Sequence, residues 1–282
     1  MLAVAYAICA SLCWGTADFA AGIKSRRLGV LPTIAWVEGS GLLWVMIIIL
    51  VTAEPLPSGR TIAYSVLAGA AGFTGLGVFY KALSIGTMSI VAPISATGVL
   101  LPVLVGLATG DTLSVIVAIG LVVTVAGVLL ASREEVAEVE HRGPNRPAVL
   151  LALIAALGFG GYFIFADVAA DGSVLWLLAI GRIAACPVII ALALHRRQKL
   201  IPGQRDIGHL VAIGAVDLSA TGLYGVATTK GALSVVAVVG SLYPVVTVLL
   251  ARGVLHERIT RIQTAGITLA LAGVALVSAG AA

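Results

Sequence analysis

Two stretches of this chain resemble each other across a distance of 145 positions: residues 86–92 read GTMSIVA and residues 231–237 read GALSVVA. Residues 10–15 (ASLCWG) match residues 155–160 (AALGFG) at the same offset. Such self-similarity predicts that the chain contains two copies of one structural unit. If each unit has an odd number of membrane-crossing helices, the second must lie upside down relative to the first.

The composition places the chain in a membrane. It is 60% hydrophobic and 11% charged, with a mean hydropathy of +1.12, so 282 residues cannot hide their apolar surface in a soluble globule. The basic residues lie in short loops, which argues against a nucleic-acid partner. No phosphate-binding loop or HExxH motif occurs in the sequence, and we expect neither an enzyme nor a metal or other cofactor.

Charged and turn residues divide the chain into ten apolar segments, each long enough to cross about 30 Å of hydrocarbon. We predict an all-α integral membrane protein with ten transmembrane helices in two inverted five-helix repeats. The repeats are residues 1–132 and 148–282, joined by a charged cytoplasmic linker at 133–147. The predicted spans are 2–23, 30–52, 61–80, 85–108, 112–131, 148–168, 174–194, 208–228, 231–252 and 261–280.

The distribution of lysine and arginine predicts the orientation. The loops after the odd-numbered spans hold 14 of the 17 cations, and the loops after the even-numbered spans hold only Arg60 and Lys230. Because cytoplasmic loops retain such residues, we expect a multi-pass protein of the cytoplasmic membrane with both termini on the non-cytoplasmic side.

Several short patterns accompany this architecture. They are Trp14-Gly15 and Phe159-Gly160 in the first spans, prolines in the fourth spans, Ala-Gly-Val in the fifth spans, and Gly110-Asp111 and His256-Glu257-Arg258 before the fifth spans. Together they resemble the EamA-type transporters of the drug/metabolite transporter superfamily. The resemblance implies a secondary transporter of small organic metabolites (amino acids, related amines or drugs), often directed outward.

Ionisable residues near the middle of predicted spans are the first candidates for a transport site, because a central Asp or Arg costs about 2.5–3.5 kcal/mol on insertion scales. Asp217 lies at the middle of span 8. It is a candidate proton carrier whose charge changes as the site opens to either side; the alternative is a static bond to a neighbouring helix.

Glu38 and Arg182 occupy equivalent central positions in spans 2 and 7, 144 residues apart. They could meet across the repeat interface as a buried ion pair, or grip opposite ends of a zwitterionic substrate, with Glu38 as a second proton-coupling candidate. Pairing of Arg182 with Asp217 is equally open. Three central acids, including Asp18 in span 1, outnumber Arg182 and favour cationic or zwitterionic solutes. Asp18 itself either lines a vestibule or, as we prefer, reaches toward the cations at 24–27.

Prolines and aromatic residues complete the predicted site. Prolines kink helices and free a carbonyl one turn earlier, for example at Ser89, and kinked helices at membrane depth line cavities. The expected kinks are at Pro93, Pro102, Pro187 and Pro244. Rings on glycine-flanked faces could form a cavity wall, although core packing is the alternative for each. The predicted substrate-binding residues are Trp14, Glu38, Tyr80, Ser89, Phe159, Tyr162, Arg182, Asp217 and Tyr224.

The sequence therefore favours an alternating-access transporter, with a channel or a non-transporting membrane scaffold as the alternative. The expected partners are a small-molecule substrate and membrane lipid, in a monomer or a homodimer.

Overall fold

The regular structure is entirely helical in the part of the chain that the computed structural model describes, which is residues 1–85, 94–95, 97–131, 146–255 and 260–280. A short 3₁₀ turn covers Thr97–Val99. The α-helices are α1 (Leu2–Leu28), α2 (Val30–Thr52), α3 (Gly59–Ile85), α4 (Leu100–Thr109), α5 (Val115–Ala131), α6 (Arg146–Ala170), α7 (Val174–His195), α8 (Gln204–Thr228), α9 (Leu233–Gly240), α10 (Tyr243–Leu255) and α11 (Arg261–Gly280).

Six of these helices, α1, α2, α3, α6, α7 and α8, are long and apolar enough to cross a membrane. Four further apolar helical stretches are shorter. The prediction of an all-helical, multi-pass membrane chain is confirmed for the described residues, while the count of ten spans stays a prediction. Most of the predicted linker lies outside the described residues, as do 256–259.

Tight turns join several of the helices. Gly29 alone separates α1 from α2, and Gly110 ends α4; both have positive φ angles, 91° and 114°, that favour glycine. Ser173 begins α7 by accepting a hydrogen bond from the Trp176 amide at 3.3 Å, which satisfies one of the free donors at the helix start.

The helix contacts between the two halves of the chain come in reciprocal sets. The first helix of each half packs against the third helix of the other half, in the pairs α1–α8 and α6–α3. The second helix of each half packs against the same third helix, in the pairs α2–α8 and α7–α3. The two second helices, α2 and α7, contact each other, and so do the last helices, α5 and α11. Exchanging the halves leaves this pattern unchanged, as in a two-fold related, isologous interface.

Helices α5 and α11 run antiparallel and approach closely. Gly127 near the end of α5 faces Gly266 near the start of α11, whereas Gly120 faces Gly273 and Val277 further along. A Cβ at these glycines would collide with the partner's backbone, so the missing side chains allow the contact.

The largest buried cluster lies between the two halves. It joins residues of α1, α5, α6, α8, α9 and α11, among others. All eight residues of α9 are buried. The centre of the molecule is therefore built jointly by both halves, and two aromatic residues of the candidate site, Phe163 and Tyr224, belong to this cluster.

Candidate functional site

Three charged side chains from three helices meet at the centre: Glu38 of α2, Arg182 of α7 and Asp217 of α8. We call them the charge cluster. The Arg182 Nη2 donates a hydrogen bond to Asp217 Oδ2 at 2.7 Å, and Arg182 Nε lies 3.4 Å from Glu38 Oε2. The structure thus brings together the two equivalent residues Glu38 and Arg182, and pairs Arg182 with Asp217 as well.

Arg182 is the most buried member of the charge cluster. Its side chain is 6% exposed, whereas those of Glu38 and Asp217 are 26% and 21% exposed. Its Nη1 points toward the Leu178 carbonyl at 3.4 Å. A buried guanidinium requires compensating charge, and here two carboxylates supply it, leaving one negative charge in excess when all three groups are ionised.

Asp18 of α1 extends the charge cluster toward open space. Its side chain is exposed, and it lies near enough to Asp217 for their charges to repel. A carboxylate that faced lipid at membrane depth would be costly, which favours a polar environment for the exposed Asp18 side chain. Of the cations toward which Asp18 was expected to reach, Lys24 and Arg27 bind Asp206. The Arg26 side chain lies outside the described residues, so that interpretation stays a prediction.

Five rings pack together beside the charge cluster, and we call them the aromatic cluster. Their centroids lie 5.0 to 6.5 Å apart in tilted and edge-on arrangements, which aromatic quadrupoles favour. Tyr162 lies within electrostatic range of Arg182 and Asp217, so the two clusters adjoin. The members are Trp14, Tyr162, Phe163, Tyr224 and Tyr243.

Burial differs strongly among the rings. Tyr224 is fully buried and its hydroxyl has no hydrogen-bond partner among the described residues. Trp14, Tyr162 and Tyr243 are partly exposed. A buried tyrosine hydroxyl normally finds a partner, so the Tyr224 hydroxyl is an unsatisfied polar group within the aromatic packing.

The helix that completes the site is interrupted. Helix α9 ends at Gly240, two residues follow, and α10 starts at Tyr243 with Pro244 in its first turn. A Cβ on Gly240 would lie 3.2 Å from the Tyr224 ring, so the break adjoins the aromatic cluster. Interrupted helices at membrane depth occur where they are buried in protein or line a cavity.

A small cavity of about 20 Å³ lies near this break, large enough for about one water molecule. Ser95 and Ser241, which are 146 positions apart, both line it. Phe159, a predicted site residue, lines this cavity and packs edge-on against Phe79. The cavity therefore joins equivalent positions of the two halves.

The remaining proline and site predictions have mixed outcomes. Helix α7 continues past Pro187, and Pro102 lies in the first turn of α4, directly after the 3₁₀ turn. Ser89 and Pro93 lie outside the described residues, and so do the side chains of Tyr80 and Pro244. Their proposed roles stay predictions.

Two carboxylates outside the charge cluster join the halves of the molecule. Asp111, in the loop after α4, accepts hydrogen bonds from the Ser234 amide at 3.0 Å and the Ser234 hydroxyl at 2.7 Å, and so caps the start of α9. Asp206 of α8 binds Lys24 at 2.9 Å and Arg27 at 2.5 Å, both on α1.

Sequence reasoning missed Asp206, Phe163 and Tyr243. The signal for Asp206 was available, because the positive-inside distribution places it on the same membrane side as Lys24 and Arg27. Phe163 follows a predicted site residue along α6, but only the packing of α6 against α8 and α9 shows which face it shares. Tyr243 gave no signal beyond its position before Pro244.

Comparisons with known proteins agree with this architecture. The model of the EamA-like transporter family matches residues 1–133 and residues 146–279. A solved structure described only as the crystal structure of a protein has a TM-score of 0.79 with this chain at 17% identity, covering 98% of each chain. At that identity the likeness shows the fold alone. No curated protein matches the chain.

Proposed function

Because this chain belongs to the EamA-like transporter family, we propose that it is a secondary transporter that carries small organic metabolites across the cytoplasmic membrane by alternating access. The substrates are amino acids, related amines or drugs, and the direction is export. Protons drive the transport through Asp217 and Glu38.

The proposed architecture is ten spans in two inverted five-helix repeats. Its support is geometric. The helix contacts between the halves are reciprocal, and the equivalent helices α5 and α11 run antiparallel, as helices of oppositely inserted repeats do. The family matches residues 1–133 and 146–279, which correspond to the two repeats.

The charge cluster carries the functional proposal. Its members come from α2 in the first half and from α7 and α8 in the second half, so any movement of one half against the other changes their distances. Ionisable residues that face a bundle interior at this depth mark substrate or proton pathways. A static ion pair needs one carboxylate for Arg182, whereas this site has two and both are partly exposed.

The arrangement suggests how a proton is coupled to movement. A proton on Asp217 removes the charge that holds Arg182 Nη2, and the guanidinium then turns toward Glu38. Loss of that proton restores the bond between α7 and α8. Two partners for one cation thus give the cluster two states, and alternating access requires two states that a ligand can bias.

The decisive experiment measures flux in proteoliposomes with an imposed pH gradient. The probe is a metabolite that accumulates in a knockout strain and falls in an overexpressing strain. We expect saturable, gradient-driven accumulation. Asp217→Asn should abolish accumulation while leaving counterflow exchange measurable, since an amide cannot release a proton.

Asp171→Asn is the matched control, because this exposed carboxylate at the end of α6 lies outside the charge cluster. If accumulation survives Asp217→Asn, proton coupling through Asp217 is wrong. Non-saturating flux would favour a channel, and absence of flux would favour a non-transporting scaffold.

A further inference from the structure

We infer that the transported solute is an organic cation, with an ammonium group on an apolar body and no carboxylate gripped by Arg182. This inference rests on the proposed function and names the substrate class of the same site. The sequence left cationic and zwitterionic solutes open, and the burial of the charged groups distinguishes them.

Arg182 is poorly placed to hold a substrate carboxylate. Two guanidinium nitrogens already donate to protein oxygens, Nη2 to Asp217 and Nη1 to the Leu178 carbonyl, and Nε lies 3.4 Å from Glu38 Oε2 without a hydrogen bond among the described residues. The side chain is 6% exposed. A zwitterion or an anion would have to displace two carboxylates to reach this group.

The accessible charges of the site are negative. Glu38 and Asp217 are about four times as exposed as Arg182, and Asp18 is more exposed still. A solute that approaches the charge cluster therefore meets carboxylates first. A field of this sign raises the local concentration of cations and excludes anions.

The aromatic cluster supplies a second, independent reason. Trp14, Tyr162 and Tyr243 are partly exposed, and Tyr162 lies within electrostatic range of Asp217. Ring faces attract ammonium groups, with tryptophan the strongest. Carboxylates beside aromatic rings form a site for a cation with an apolar body. The carboxylates provide the opposite charge, and the rings provide contact with the apolar body.

These contacts give Arg182 a specific role as the internal cation of the empty site. It neutralises Asp217 until a substrate cation takes its place, so Arg182 and the substrate compete. Removing Arg182 should therefore strengthen the binding of cations. If Arg182 gripped a substrate carboxylate, the same change would weaken binding.

The test is equilibrium binding to the full-length protein in lipid nanodiscs, followed by tryptophan fluorescence, with Trp14→Phe identifying the signal. Three probes share a phenyl ring and differ in charge: phenethylamine, phenylalanine and 3-phenylpropionate. We expect affinity to fall in that order. Asp217→Asn should weaken phenethylamine binding about tenfold and Arg182→Gln should strengthen it severalfold, because each removes one charge of opposite sign.

Asp171→Asn is again the matched control and should leave binding unchanged. Tighter binding of phenylalanine or phenylpropionate, absence of phenethylamine binding, or weaker binding in Arg182→Gln would overturn the inference. If Arg182→Gln does not fold, the order of the three probes on the unmodified protein decides.

Flux separates this inference from the proposed function. Transport of phenylalanine but not of phenethylamine in proteoliposomes would leave the transporter proposal standing and refute the cation. Tight phenethylamine binding without flux of any solute would support the cation inference and refute the transporter proposal.

Discussion

Gly41 tests the charge cluster without changing any charge. It lies one helical turn beyond Glu38 on α2, and a Cβ there would lie 2.7 Å from Arg182 Nε. Ordinary contact begins near 3.4 Å, so Gly41→Ala must push the guanidinium by about 0.7 Å. Arg182 can move, because the clashing atom belongs to a side chain. The cost therefore falls on its hydrogen bond to Asp217 and its ion pair with Glu38.

The magnitude follows from two opposing effects. Hydrogen bonds to charged groups contribute about 1.5–3 kcal/mol, and partial exposure of both carboxylates reduces this to about 1 kcal/mol. Alanine gains about 1 kcal/mol over glycine within a helix. We expect Tm in detergent to change by less than about 3 °C, whereas counterflow exchange falls about fivefold.

Gly39→Ala is the matched control, since a Cβ at that position of the same helix meets no atom within 4 Å. It should keep full exchange and the same or a slightly higher Tm. Equal exchange rates for Gly39→Ala and Gly41→Ala would refute the argument that guanidinium position governs transport.

Three further predictions concern the contacts between the halves, each checked by Tm in detergent against the unmodified protein. Gly273→Ala should lower Tm by about 2–8 °C, because the added carbon meets backbone atoms of α5 that cannot move aside; an unchanged Tm would contradict the close antiparallel packing. Asp111→Ala should cost about 1–2 kcal/mol by uncapping α9 at Ser234, and Ser234→Ala should cost less, since Asp111 keeps the amide. Asp206→Asn should lower Tm mainly at low salt, because salt screens its contact with Lys24; an equal loss at 1 M salt would argue for a purely steric role.

The candidate site was partly predictable from the residue types. Glu38, Arg182 and Asp217 stood out because charge within long apolar segments is costly, and the repeat placed Glu38 and Arg182 at equivalent positions. The sequence could not choose between pairing Arg182 with Glu38 and pairing it with Asp217, because the choice depends on the rotation of α2 and α8 about their axes.

Other features depended on packing that no local pattern encodes. Of the cations that Asp18 was expected to reach, Lys24 and Arg27 bind Asp206, 182 and 179 residues away, and the Arg26 side chain lies outside the described residues. Tyr243 belongs to the aromatic cluster because α10 starts at this residue, after the break that follows Gly240, and its ring lies 6.3 Å from that of Trp14.

The amino-acid sequence alone determined that this chain is helical, lies in a membrane and repeats one unit, because apolar length, backbone hydrogen bonding in lipid and self-similarity are properties of the chain itself. The tertiary structure decided which charges are buried and which stay accessible. That depends on how helices from both halves close around a shared centre, where Arg182 lies behind the more exposed carboxylates of Glu38 and Asp217.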